Sequence, residues 1–223
     1  MSAIGTAVLL GTIISTLPWS CLTPLPTFDT TVPVIHQHPW YSTEHHLTDK
    51  RRIFRNLEPS LPRPFWPSFA WIVQKLLIPR HHSPTPFQPL PPSVLQHPPA
   101  SLRATWLGHS TVLLQVDTLT ILTDPVFSPQ VGPLPFVGPR RLAPLPLRPE
   151  ELPPIDVVLI SHNHYDHLDR ASVRFLLQRD NPIFLVPLGL AELVRQWGSQ
   201  RVVELDWWEF VDYAGARFHC TPA

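Results

Sequence analysis

The sequence has few cysteines, no net charge and no long uninterrupted apolar run, and these shortages exclude several classes of protein. Only two cysteines occur among 223 residues, so no disulfide framework is predicted. Seventeen basic side chains balance seventeen acidic ones, which argues against nucleic acid as a partner. Proline, in contrast, is abundant: 30 of the 223 residues are proline, whereas about 5% is usual.

Residues 1–28 form an apolar N-terminal segment without a charged side chain. Its apolar run is shorter than the roughly 20 residues that a spanning helix needs. The first basic residue is Lys50, so a secretory signal is not predicted, and we expect a cytoplasmic protein. Three interpretations of the segment stay open: membrane association, a tail packed on the following domain, or a wrongly assigned start.

Residues 29–100 are predicted to be a proline-rich extension with one short amphipathic helix. The helix is expected at residues 67–78, where apolar residues recur at helical spacing between two prolines. With aromatic residues nearby, it could lie in a membrane interface and help to present a lipid. It could equally cap the domain that follows.

Residues 101–223 are predicted to form an α/β domain. Strands are expected at residues 102–107, 111–116, 119–122, 155–160, 183–186, 202–205 and 217–220, and helices at residues 171–178 and 188–197. Asp169 is expected to be the N-cap of the first helix. The alternation of strands and helices indicates an α/β sandwich.

A histidine-rich stretch, residues 161–169, follows the buried strand predicted at residues 155–160. His162 and His164 are two residues apart, so a strand end places both on one side, where they can bind the same metal ion. Asp166 and His167 then face a second position as the chain turns into a helix. Such a loop suits a site with two ions about 3.5–4 Å apart. The sequence therefore predicts a metal centre.

The H-x-H-x-D-H motif after a strand resembles that of the metallo-β-lactamase-fold superfamily. Further segments are similar, in the same order, to the branch of that superfamily that comprises phospholipases D hydrolysing N-acyl-phosphatidylethanolamine: residues 105–111, 122–125, 138–141, 152–156, 162–169, 186–190 and 204–208. The resemblance implies an αββα sandwich, two zinc ions and a phospholipid substrate, and a membrane surface is a possible further partner.

The resemblance also suggests roles for two residues outside the motif. His109 would lie near the metal pocket and contact a ligand or the substrate, although a purely structural histidine is an equal alternative. Asp124 could accept the second N–H of a zinc-bound imidazole and fix its tautomer. The alternative for Asp124 is a simple turn before Pro125.

Substrate contacts are expected from two further pairs of residues. Arg140 and Arg141 lie on a long proline-rich loop and could bind phosphate, or they could simply be solvated. Trp207 and Trp208 follow a strand end and could form the wall of a lipid pocket, or they could fill core.

The resemblance further implies that the sandwich is incomplete at its C-terminal end. The chain would hold the first half and the start of the second, without the later histidines and bridging aspartate, and would leave a sheet edge uncovered. The leading hypothesis is a zinc-dependent phosphodiesterase that releases N-acylethanolamine and phosphatidic acid, with Asp166 handling a proton and with weak or no activity in this chain. The alternatives are a hydrolase of lactones or soluble phosphodiesters, a non-catalytic remnant, or a homo-oligomer whose chains complete each other's sites.

Overall fold

A computed structural model describes residues 6–9, 12–16, 88–97, 99, 101–132 and 138–222. The strands in these ranges are β1 (Thr6–Leu9), β2 (Thr12–Thr16), β3 (Leu102–Gly108), β4 (Thr111–Val116), β5 (Leu119–Thr123), β6 (Val157–Leu159), β7 (Ile183–Pro187), β8 (Val202–Leu205), β9 (Phe210–Tyr213) and β10 (Ala216–Cys220). The helices are α1 (Ser93–Gln96), α2 (Arg170–Arg179) and α3 (Ala191–Gln196). The helix predicted at residues 67–78 lies outside the described residues.

The first sheet contains six strands in the order β3-β4-β5-β6-β7-β8. Antiparallel pairing joins β3, β4 and β5, whereas β5, β6, β7 and β8 are parallel. Helix α2 connects β6 to β7 and α3 connects β7 to β8, because parallel neighbours need a crossover connection. The carboxyl ends of β5 and β6 therefore meet at one edge, where open α/β sheets place their ligands.

Both faces of the central parallel strands β6 and β7 are buried, which explains their continuous apolar sequence. Val158 and Phe184 pack with the helix residue Leu176 in one core cluster. Val157, the neighbour of Val158 on β6, faces the other way and packs with Phe218 of β10 in a second cluster. Successive side chains of a strand point to opposite faces, so the same three-residue strand serves two cores.

The second sheet is antiparallel and has the order β1-β2-β10-β9. Strand β2 pairs with β10 over five residues, from Ala216 opposite Thr16 to Cys220 opposite Thr12. Both edges of β10 are therefore paired, one with β2 and the other with β9. Helices, first sheet and second sheet form successive layers of a metallo-β-lactamase-like α/β fold, as predicted.

Several elements differ from the sequence-based expectation, among them the unpredicted β1, β2 and α1. Helix α3 begins at Ala191 rather than at residue 188, because the backbone N–H groups of Gly189 and Ala191 both donate to Glu204 Oε1, at 2.7 and 2.9 Å. The carboxylate holds this segment as a turn. Strand β9 was not predicted, and it pairs with β10. No helix in the described ranges combines the length and apolar character needed to cross a membrane.

Candidate metal centre

The histidine-rich loop leaves β6 at the carboxyl edge of the first sheet. At its start, the Ile160 N–H donates to Leu185 O at 3.0 Å and continues the sheet pairing. At its end, Asp169 accepts a hydrogen bond from the Ala171 N–H at 3.3 Å and caps α2, which confirms the predicted N-cap. Leu168 is only 4% exposed and joins the core. The loop is thus fixed at both ends.

His162 and His164 bring one ring nitrogen each to the same point in space. His162 Nε2 lies 2.9 Å from His164 Nδ1, and the two ring centroids are 4.6 Å apart. His162 is half-buried and His164 is exposed, so the point between them is open to solvent on one side. The geometry brings together the two side chains for which the sequence predicted a shared ion.

Asp124 is a buried carboxylate at the end of β5, with 1% exposure and a φ of 38°. Its Oδ1 accepts from the Ser161 N–H at 2.7 Å. Its Oδ2 lies 2.8 Å from His167 Nδ1, and this N–H···O bond leaves the lone pair of His167 on Nε2. Positive φ is uncommon for a residue other than glycine, and aspartate is among the types that tolerate it.

Ser161 connects Asp124 to a second imidazole. The Ser161 hydroxyl donates to Asp124 Oδ2 at 2.7 Å, and its oxygen lies 2.9 Å from His162 Nδ1. Because the Ser161 hydroxyl donates its proton to the carboxylate, the Ser161 oxygen can accept a hydrogen bond from the His162 Nδ1–H. The Nε2 lone pair of His162 then faces His164. One buried carboxylate therefore orients His167 directly and His162 through a serine.

Asp166, His167 and His109 form a cluster of three potential ligands whose donor atoms all lie within 4.8 Å of one another. His109 Nε2 is 2.9 Å from Asp166 Oδ2, and His167 Nε2 is 3.9 Å from the same oxygen. His167 also lies close to His162, with ring centroids 4.0 Å apart. The two expected metal positions are thus adjacent.

Two pKa shifts favour the metal-binding protonation states. Burial lowers the pKa of His162, and the neighbouring imidazoles of His167 and His164 lower it further. Burial raises the pKa of Asp166, but a backbone hydrogen bond and the nearby His167 and His109 more than offset this and hold it below its usual value. At neutral pH, His162 is neutral and Asp166 is ionised, as metal ligation requires.

The two loop arginines lie in different environments. Arg140 is exposed, and its backbone forms an isolated antiparallel β-bridge with Gln130. Arg141 is half-buried, and its Nη2 donates to the Val126 carbonyl oxygen. Burial lowers the pKa of the Arg141 guanidinium. Arg141 therefore anchors its own loop, and Arg140 is the better placed of the two to meet a phosphate.

A cavity of about 530 Å³ adjoins the histidines, and its wall is largely apolar. His162 and His167 line one part of it, while Leu205, Trp207 and Phe218 line another. Trp208 is half-buried and has a φ of 72°. Of the two tryptophans, Trp207 is the one that reaches this cavity.

The side chains present fit a metal ion. Imidazole nitrogens and carboxylate oxygens are the ligands of zinc and related divalent cations. His162, His164, Asp166 and His167 supply such atoms from one short loop, and Asp124 provides the outer hydrogen bond that commonly orients a ligating histidine.

Comparison with known proteins places this site in a family. Residues 120–223 match the family model of the beta-lactamase superfamily domain. This part of the chain belongs to the beta-lactamase superfamily. It is thus a member of a superfamily of metal-dependent hydrolases, and the similarity between the histidine motif and that superfamily is confirmed.

Three relatives show how far the similarity extends. The chain is 41% identical over 152 residues to an uncharacterised protein of Mycobacterium tuberculosis, covering 66% of this chain and 41% of that protein. It is 38% identical over 123 residues to N-acyl-phosphatidylethanolamine-hydrolyzing phospholipase D 1 of Caenorhabditis elegans, covering 52% and 35% respectively. The mitochondrial enzyme of that name from Saccharomyces cerevisiae is 40% identical over 105 residues, covering 47% and 22%. The chain therefore spans less than half the length of these relatives.

Sequence reasoning missed one contributor to the site and did not identify the partner of another. Ser161 immediately precedes the first motif histidine, and its small hydroxyl at a buried strand end was the signal available for its role. His109 was expected to contact a metal ligand or the substrate, and its Nε2 lies 2.9 Å from the carboxylate of Asp166, one of the predicted ligands. No local pattern reveals this proximity, because β4, β5 and β6 separate the two residues along the chain.

Proposed function

We propose that this chain carries the metal-binding part of a zinc-dependent phosphodiesterase that hydrolyses N-acyl-phosphatidylethanolamine to N-acylethanolamine and phosphatidic acid. The observation that carries the proposal is the 38% and 40% identity to the nematode and yeast phospholipases D of that name. Its support in the structure is the loop with His162, His164, Asp166 and His167, which leaves β6 at the carboxyl edge of the first sheet and borders the apolar cavity.

The four motif residues would bind metal at two adjacent positions. His162 and His164 would hold one ion, and Asp166 and His167 the other. A bound zinc ion would lower the pKa of a water molecule and polarise the phosphoryl group. The exposed side of Asp166 could accept the proton that such a water gives up, because its carboxylate is ionised at neutral pH.

Substrate binding would use the surroundings of the histidines. The apolar cavity at Trp207 suits part of an acyl chain, and the exposed guanidinium of Arg140 suits a phosphate. The substrate would be met at a membrane surface by a protein otherwise in the cytoplasm. The motif brings two nitrogens together at the His162 position, those of His162 and His164, and a catalytic zinc usually has three protein ligands, so we expect a slow rate.

Product analysis tests the proposal. The chain, supplied with zinc, is incubated with N-acyl-phosphatidylethanolamine in mixed micelles, and the products are quantified by mass spectrometry. We expect slow formation of phosphatidic acid and N-acylethanolamine in equal amounts. His162→Ala should abolish it and His97→Ala, an exposed histidine on the C-terminal side of α1, should not. Cleavage of a lactone or a soluble phosphodiester without cleavage of the lipid would contradict the assignment of substrate.

A further inference from the structure

We propose that His109 is the third protein ligand of the ion held by Asp166 and His167. From the sequence this histidine was expected only to contact a metal ligand or the substrate, and it lies outside the H-x-H-x-D-H motif. The inference rests on the metal dependence in the proposed function, but not on its substrate. It would give this position two imidazoles and one carboxylate, a set that binds zinc and other divalent transition metals.

Distances between the donor atoms carry the proposal. Zinc bonds of about 2.0–2.1 Å in tetrahedral geometry place neighbouring donor atoms about 3.3–3.4 Å apart. His109 Nε2 is 2.9 Å from Asp166 Oδ2, and His167 Nε2 is 3.9 Å from it. All three donor atoms lie within 4.8 Å of one another. Small side-chain rotations would bring them to the spacing of a coordination shell.

The orientation of His167 supports the same conclusion. Its Nδ1 is engaged by Asp124 at 2.8 Å, so its Nε2 is the nitrogen free for an ion. His167 is 17% exposed, whereas His109 and Asp166 are 53% and 42% exposed. The three donors thus form a shell that is closed on the protein side and open toward solvent, the arrangement that leaves a position for water or substrate.

The turn between β3 and β4 is built to present His109 at this place. Gly108 and His109 have φ values of 123° and 49°, so the chain reverses tightly at the loop. Trp106 Nε1 donates to the His109 carbonyl oxygen at 2.8 Å. The Ser110 hydroxyl donates to the Asp166 carbonyl oxygen at 3.4 Å and ties the turn to the histidine loop. Left-handed backbone outside glycine is often retained at functional sites.

Nitrogen chemical shifts of the imidazoles test the proposal directly on the unmodified chain. Uniformly 15N-labelled protein of residues 1–223 is titrated with zinc in the absence of any substrate, and the ring signals are followed. His109→Ala identifies the His109 signals by their loss. We expect Nε2 of His109 to move to the shift of a metal-bound nitrogen together with Nε2 of His167, whereas His97 should not move.

Zinc affinity provides the second measurement. Competition with a chromogenic chelator should show that His109→Ala weakens one zinc site at least tenfold, by removal of a ligand, while His97→Ala leaves both sites unchanged. If the His162 and His167 signals respond to zinc and the His109 signals do not, His109 is no ligand and the proposal is overturned, whereas the metal-dependent function survives. If no histidine responds, both are overturned. If the chain binds zinc through His109 but does not cleave the lipid, the proposed substrate is wrong and the assignment of His109 as a ligand still stands.

Discussion

Replacing Asp124 by asparagine removes the charge that orients two imidazoles and changes little else. The amide oxygen can still accept from the Ser161 N–H, which is 2.7 Å from Oδ1 in the native protein. The amide N–H₂ would instead face the His167 Nδ1–H at 2.8 Å, donor against donor. A hydrogen bond to a charged group contributes about 1.5–3 kcal/mol, so we expect Asp124→Asn to lower the free energy of unfolding by about 2 kcal/mol.

The same change should weaken metal binding. His167 can relieve the clash by moving its proton to Nε2, but that nitrogen is then no longer free for an ion. Loss of such an outer hydrogen bond typically costs about 10–100-fold in metal affinity. The effect should extend to His162, because Ser161 links it to the same carboxylate.

Two assays separate these effects. Urea denaturation in the presence of a chelator measures the change in stability, and competition with a chromogenic chelator measures zinc affinity. Asp212→Asn is the matched control, since Asp212 forms an exposed ion pair with Arg217 and should change stability by less than about 1 kcal/mol. An Asp124→Asn protein as stable as the native chain, with unchanged zinc affinity, would refute the role given to this carboxylate.

Three further changes follow from individual contacts. Gly108→Ala should cost about 1–3 kcal/mol of stability in thermal denaturation, because its φ is 123° and a new Cβ would lie 2.8 Å from Arg141 Nη1, whereas Gly215→Ala, in open space, should cost less; equal losses would contradict this. Arg141→Ala should destabilise by about 1.5–3 kcal/mol through loss of its bond to Val126 O, and Arg140→Ala should not; similar melting temperatures for both variants would argue against the anchor. Burial raises the pKa of Cys220 to about 12, so in a Cys21→Ser background iodoacetamide should label it roughly a thousandfold more slowly at pH 8 than a free thiol; rapid labelling of the folded Cys21→Ser protein would disprove this.

Local signals in the sequence were sufficient for most of the first sheet and for part of the site. The apolar run around Val158 predicted a buried strand, and that strand is buried on both faces. Asp169 lies one residue before α2 and caps it, as its position suggested. His162 and His164 converge because a strand end fixes their direction, which is a property of short-range geometry.

Contacts between residues that are distant in the sequence could not be predicted from such local signals. For the apolar N-terminal segment, membrane association, a packed tail and a wrongly assigned start all stayed open, and the pairing of β2 with β10 shows where its strands lie. The late start of α3 at Ala191 depends on Glu204, a residue on the next strand. His109 meets Asp166 only after β3, β4, β5 and β6 are assembled. In each case the deciding partner is distant in sequence.

The central claim is that the loop after β6 holds metal ions, and anomalous diffraction at the zinc absorption edge tests it most directly. Crystals of the zinc-loaded chain should show one peak about 2.0–2.1 Å from both His162 Nε2 and His164 Nδ1, and a second peak at the same distance from the donor atoms of Asp166 and His167. Zinc bound only at other histidines, or no peak at this loop under saturating zinc, would contradict the account.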